Sequence, residues 1–143
     1  MNGINTAKLS VVKVLTASIF LTPKGNTKIK VDIVNNSPYI KIDGSFNAKI
    51  FSMDENDSYL SSNVLNSISN SCNNYLENVL LDYLYKTSID FKSDINGIGK
   101  YALSSFYTNK EFKNYNWVDN YMNSTFKVNI NTTVNSGFLL NKT

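Results

Sequence analysis

Hydrophobic and polar positions alternate with a period of two through the first third of the chain. In residues 27–34, TKIKVDIV, Ile29, Val31 and Ile33 fall on one side and Lys28, Lys30 and Asp32 on the other, the pattern of a strand with one buried face. Residues 39–51, YIKIDGSFNAKIF, repeat it, with Ile40, Ile42, Gly44, Phe46, Ala48 and Ile50 inward and Lys41, Asp43, Ser45, Asn47 and Lys49 outward. Gly44 marks a place for a bulge or bend. Residues 11–21, VVKVLTASIFL, read as a further strand, and the segments 22–26, TPKGN, and 35–38, NNSP, carry turn chemistry, because Pro fixes φ and Gly or Asn accepts positive φ. Three antiparallel strands in meander order are expected. A last strand over residues 125–134 alternates Phe126, Val128, Ile130, Thr132 and Val134 against Lys127, Asn129, Asn131 and Thr133.

Between these strands the period changes to that of a helix. From Ser58 as cap, Leu60, Val64, Ile68, Cys72, Tyr75, Val79 and Tyr83 recur every three or four residues, widened by Leu65, Leu76, Leu80 and Leu84. A helix of about 28 residues, about 42 Å long, is predicted. Its weakest stretch is 70–74, where Asn and Ser are poor helix formers and burial of the stripe must hold the backbone.

A short extended piece, TSIDF, leads to DINGIGKYALSSFY, residues 94–107. Asp94 is placed as an N-cap, with Ile95, Ile98, Ala102 and Phe106 facing inward. Gly97 and Gly99 then sit inside a helix, where each costs about 0.5–1 kcal/mol relative to Ala, so a close backbone approach is the expected reason for both. The spacing matches neither the dinucleotide fingerprint nor the phosphate loop. A second short helix, NKEFKNYNWVDNYM, carries Phe112, Trp117 and Tyr121. Trp117 is the sole indole and is expected to plug the gap between helix and sheet, at about 3–5 kcal/mol for truncation.

Composition narrows the chemistry. With 143 residues and 42% hydrophobic positions the chain has enough for one domain with its own core. All 14 basic residues are Lys; Arg and His are missing and Cys72 is the one cysteine. Intrachain disulfides, Cys-based metal clusters, Ser-His-Asp and Cys-His catalysis and Arg phosphate clamps are thereby excluded. The lysines are spread and isolated along the sequence, so nucleic acid is not an expected partner and the charges read as a solvated face. Carboxylates at Asp54, Glu55 and Asp57 read as a loop or cap. A glycosidase-like reading would need two acids about 5–9.5 Å apart across one cleft. No uninterrupted apolar run reaches the length of a membrane span, and no export signal opens the sequence, so any anchor is expected outside it.

Four landmarks in order, the helical run ending YLENVLLDYLYKTSIDF, the turn DINGIGKY, the lone Trp in NYNWVDNYM and the closing strand STFKVNINTTVNSGF, resemble the C-terminal domain of the Ger(x)C family, the lipoprotein C subunits of spore germinant receptors. The resemblance rests on Asp94 to Gly99, on Trp117 with Asp119 one residue displaced, and on the Val-rich strand closing at Gly137; before Tyr75 it is one of pattern. Asn96 replaces the family's usual aromatic, and Asn135-Ser136 stands where basic residues commonly precede the closing Gly. It implies a lipid anchor and preceding domains outside this chain, a place on the outer face of the spore inner membrane, and the A and B receptor subunits as partners. No cofactor, metal or catalytic residue is expected. The combined expectation is a single α+β domain over residues 1–143, with an antiparallel or mixed sheet and one long and two shorter helices on one face. It would act by docking, with Asp94, Gly97, Gly99, Trp117, Lys127, Asn129 and Gly137 as candidate contact or structural residues. A small-ligand pocket near Trp117 and Tyr121 is the alternative.

Overall fold

The computed structural model describes residues 17–53 and 61–135. Strands β1 (Ala17–Pro23), β2 (Lys28–Val34), β3 (Ser37–Met53) and β4 (Thr125–Asn135) form one mixed sheet. Helices α1 (Ser62–Tyr85), α2 (Gly99–Ala102), α3 (Asn109–Tyr115) and α4 (Trp117–Tyr121) intervene between β3 and β4 and pack on one face, so the fold is α+β as expected. Among the described residues there are three short α-helices where two were predicted.

The meander order does not hold. β1 and β2 do not pair with each other: Pro23 lies opposite Phe46 and Lys28 opposite Asp43, so both run in series against the single long strand β3. Residues 24–27 are a local excursion between them, held by the Lys24 amide donating to the Ser45 carbonyl at 2.8 Å, and not a hairpin turn. The hairpin is at Asn35-Asn36, both with positive φ (50° and 63°), which is the two-residue geometry that fits strand twist. Gly44 sits where β3 passes from one partner to the other, and a Cβ there would lie 3.1 Å from Ile130 Cδ1. β4 runs parallel to β3 in unbroken register from Tyr39–Thr125 to Lys49–Asn135; the helices supply the long crossover that parallel pairing needs.

The period-two reading of the faces is correct. Val31, Ile40, Ala48, Ile50, Phe126, Val128 and Ile130 are buried beneath the helices, while the alternate positions form an open, mainly polar face that also carries Tyr39 and Phe20. The predicted helix stripe needs correction. Its start at Ser58 and Leu60 lies outside the described residues; Ser61 is the N-cap of the described helix and accepts from the Val64 amide. The helix runs unbroken through residues 70–74. Ile68, Cys72 and Leu84 are buried and Leu76 and Leu80 pack beside them, but Tyr75, Val79 and Tyr83 are 65%, 46% and 43% exposed. Sequence periodicity admits either set, since they differ by one residue, or about 100° around the axis. The sheet selects the set that continues from Cys72 in steps of four.

The flank on the other side of that core stripe holds polar side chains with a specific task. Ser69 Oγ donates to the Thr132 carbonyl (2.5 Å), Asn73 Oδ1 accepts from the Thr132 amide (2.8 Å), and Glu77 Oε1 accepts from the Ile130 amide (2.8 Å). Tyr85 Oη is 3.5 Å from the Phe126 amide. Four helical residues rise about 6 Å and two strand residues about 6.6 Å, so α1 runs antiparallel along β4 in step with the backbone at Thr132, Ile130 and, past Val128, Phe126. This covers an edge strand that would otherwise offer unpaired amides. The β2 edge is touched likewise by Ser105 Oγ, which donates to the Val31 carbonyl at 2.5 Å.

TSIDF is not extended. Lys86–Asp90 continue α1 as a wider π-type turn, with Thr87 and Ser88 fully buried and their hydroxyls donating to the Leu84 and Tyr85 carbonyls. No helix among the described residues is long and apolar enough to cross a membrane.

Candidate functional site

Asp94, Gly97, Gly99 and Trp117, far apart in the sequence as two groups, form one unit in space. Residues 94–97 make a turn in which Gly97 adopts φ +63°, and α2 begins only at Gly99, later than the helix expected from Asp94. Asp94 Oδ1 accepts from the Ile98 amide at 2.8 Å, and Oδ2 accepts from the Gly99 amide at 2.7 Å and from Trp117 Nε1 at 2.9 Å. Asp94 is not the N-cap itself, which is Ile98, but its carboxylate still accepts from amides at the helix start, from four and five residues away, and is joined by an indole from α4. The two glycines serve different ends. A Cβ on Gly99 would sit 2.7 Å from Trp117 Nε1, whereas nothing lies within 4 Å of a Cβ on Gly97. The expected close approach therefore holds for Gly99, and Gly97 is required by its left-handed backbone. Ile98 and Ala102 are buried as predicted, but Ile95 is exposed, because the turn aims it away from the sheet.

The segment 109–121 is two helices, not one. Asn116 takes the left-handed conformation (φ 52°, ψ 70°) between α3 and α4. Its carboxamide donates to Asp119, and Asn120 Nδ2 donates to the Tyr115 carbonyl at 2.6 Å. α3 opens with a capping box, Thr108 and Glu111, that satisfies two otherwise unpaired amide groups. The kink explains why Phe112, Trp117 and Tyr121 do not follow a single stripe: it turns Trp117 and Tyr121 under the helical layer.

Both rings are buried, Trp117 at 7% and Tyr121 at 0% exposure. They belong to a continuous series of ring contacts, Phe106 to Phe112, Phe112 to Trp117, Trp117 to Tyr121, Tyr121 to Phe126 and Phe126 to Tyr85, with centroids 5.1–6.5 Å apart. Tyr121 Oη shares a hydrogen bond with Thr87 Oγ1 at 3.0 Å, and burial pushes its phenol pKa upward. Edge-to-face and offset contacts of this kind add to area burial. The indole, with its N–H directed at Asp94 and its faces against Phe112 and Tyr121, is placed as packing.

The remaining sequence candidates lie elsewhere. Lys127 and Asn129 are on the open face of β4, across the sheet from Asp94 and Trp117; Asn129 Nδ2 donates to Asp43 Oδ1 at 2.6 Å, which holds the Asp43 carboxyl below its ordinary pKa. Gly137 lies outside the described residues, as do Asp54, Glu55 and Asp57. Cys72 is buried under α1 and desolvation raises its thiol pKa, in keeping with a small core residue. Among the described residues no three His, Cys, Asp or Glu side chains gather as metal ligands. The carboxylates of Asp94, Glu77, Glu111 and Asp119 are each engaged in holding backbone or side-chain donors.

One surface escaped the sequence reading. Tyr75, Val79 and Tyr83 form an exposed row along α1, and Tyr83 Oη donates to Asn96 Oδ1 at 3.3 Å, which brings the row up to the turn that exposes Ile95. The sequence signal was present in the choice between two helical stripes, but only the sheet resolves it.

A family model described as "Spore germination B3/ GerAC like, C-terminal" matches residues 4–137. None of the curated proteins matches the chain. Among solved structures the fold is similar to one titled "Crystal Structure of the GerBC protein", with a TM-score of 0.64 and 18% identity over 82% of this chain and 40% of that one. The chain thus spans less than half the length of that relative.

Proposed function

Because the chain belongs to the spore germination B3/GerAC-like C-terminal family, we propose that it is the C-terminal domain of a germinant-receptor C subunit, acting in spore germination by docking and not by catalysis. Residues 1–143 would form that single domain. Its partners would be the A and B subunits, at the outer face of the spore inner membrane, with a lipid anchor carried by preceding sequence.

The observation that supports docking is the exposed row Tyr75, Val79 and Tyr83 beside Ile95. Aromatic side chains presented to solvent on a well-held helix are the usual anchors of protein interfaces. The helix is held firmly, since its core stripe and its polar flank are both committed to the sheet. Asp94, Gly99 and Trp117 support the frame around this row, and Lys127 and Asn129 belong to a separate surface. The alternative of a small-ligand pocket near Trp117 has less support, because that indole and Tyr121 are packed against other rings.

The test is a chromosomal replacement of Tyr75, Val79 and Tyr83 by Ser, with protein level checked by blot. Nutrient-triggered germination and co-purification of the A and B subunits should fall together, while a non-nutrient trigger that bypasses receptors still works. A normal nutrient response with the variant protein present at normal level would remove the docking role of this row.

A further inference from the structure

The open face of the sheet gathers charge that the sequence keeps apart. Register places Lys30 opposite Lys41 and Lys41 opposite Lys127, a row of three lysines across three strands. Lys28 and Lys49 share the same face, which carries two carboxylates, Asp32 and Asp43. Both are already engaged, Asp32 by Lys30 at 3.0 Å and Asp43 by Lys41 at 3.4 Å and by Asn129. Lys28, Lys49 and Lys127 form no ion pair among the described residues. Five lysines against two aspartates leave a surplus of three on this face. The sequence holds 14 basic and 11 acidic residues, so the other nine lysines and nine carboxylates cancel. Among the described residues, the surplus of three positive charges stands on this side of the sheet.

Like charges in directly opposed positions oppose sheet formation, so the row is not explained by folding. Between the lysines lie short polar side chains, Ser45, Asn47, Asn131 and Thr133, and the face also carries Tyr39 opposite Asp32 and the exposed ring of Phe20 opposite Lys49. Lysine is a point charge without the bidentate fork of arginine; a row of such charges spread across three strands suits a diffuse anionic surface and not a shaped anionic ligand. We propose that this face docks on an anionic phospholipid surface, independently of the receptor reading and of any lipid anchor.

The experiment is co-sedimentation of the 143-residue chain with vesicles of phosphatidylglycerol and phosphatidylcholine, and with pure phosphatidylcholine, at low and at physiological salt. Binding is expected to the anionic vesicles only and to weaken with salt. The variant K30Q/K41Q/K127Q should lose about fivefold in partitioning per lysine, on the order of a hundredfold in all. The variant K92Q/K110Q/K113Q has the same change in net charge at exposed helical and loop positions and should lose far less. Far-UV circular dichroism of both variants verifies that they fold. Equal loss in both variants would reduce the effect to net charge and overturn the proposal. Equal binding to both vesicle types, or none to anionic vesicles at low salt, would overturn it too, the latter favouring an acidic protein as occupant.

Discussion

Replacing Gly99 by Ala tests the Asp94, Gly99 and Trp117 unit most directly. The new methyl would stand 2.7 Å from Trp117 Nε1 and 2.8 Å from its Cδ1, inside the closest approach that carbon and nitrogen tolerate, and the indole is buried and flanked by Phe112 and Tyr121. Overpacking at such a site costs about 1–3 kcal/mol. Moving the ring also stretches the indole hydrogen bond to Asp94, a bond to a charged acceptor worth about 1.5–3 kcal/mol. Against these, Ala gains at most about 1 kcal/mol over Gly in helix. A net loss of about 2–4 kcal/mol follows, large beside a total stability of about 5–15 kcal/mol. Trp117 is the one tryptophan, so urea unfolding followed by its fluorescence reads both the midpoint and the local environment. Gly97→Ala is the matched comparison: it meets no atom but must adopt φ +63°, at about 1–2 kcal/mol, with the native emission unchanged. A neutral or stabilising Gly99→Ala, or equal losses with the same emission in both variants, would refute the close contact and with it the structural role given to this segment.

Two further outcomes follow from the packing of α1. Asn73→Ala and Glu77→Ala should each cost about 1–2 kcal/mol through an uncapped edge amide and should speed hydrogen exchange at Thr132 and Ile130 respectively, with amides on the β3 side of β4 unaffected. Cys72, whose thiol burial raises in pKa, should stay neutral and react with a disulfide reagent at pH 8 only as fast as the helix opens, and at the rate of a free thiol in urea. Prompt reaction in the native state would contradict its place in the core.

Alternation alone shows which face of β2, β3 and β4 is buried, because a period of two has a single reading once one side is apolar: Ile29, Val31, Ile40 and Phe126 all lie where alternation puts them. The sequence also points to Asp94 as an acceptor of nearby backbone amides, a local effect, whereas the need for glycine at position 99 comes from Trp117, a contact between distant segments. The family resemblance, carried by the same residues, is borne out by the match over residues 4–137. What tertiary structure alone decided involves contacts between distant segments. The choice of Leu76, Leu80 and Leu84 over Tyr75, Val79 and Tyr83 as the buried stripe depends on where α1 meets β4. The separation of β1 from β2 depends on the length of β3, which is long enough to receive both. The indole on Asp94 spans 23 residues, and the lysine row joins positions 30, 41 and 127 through strand register. Periodicity describes one element at a time, whereas pairing, edge capping and the gathering of charge are properties of elements brought together.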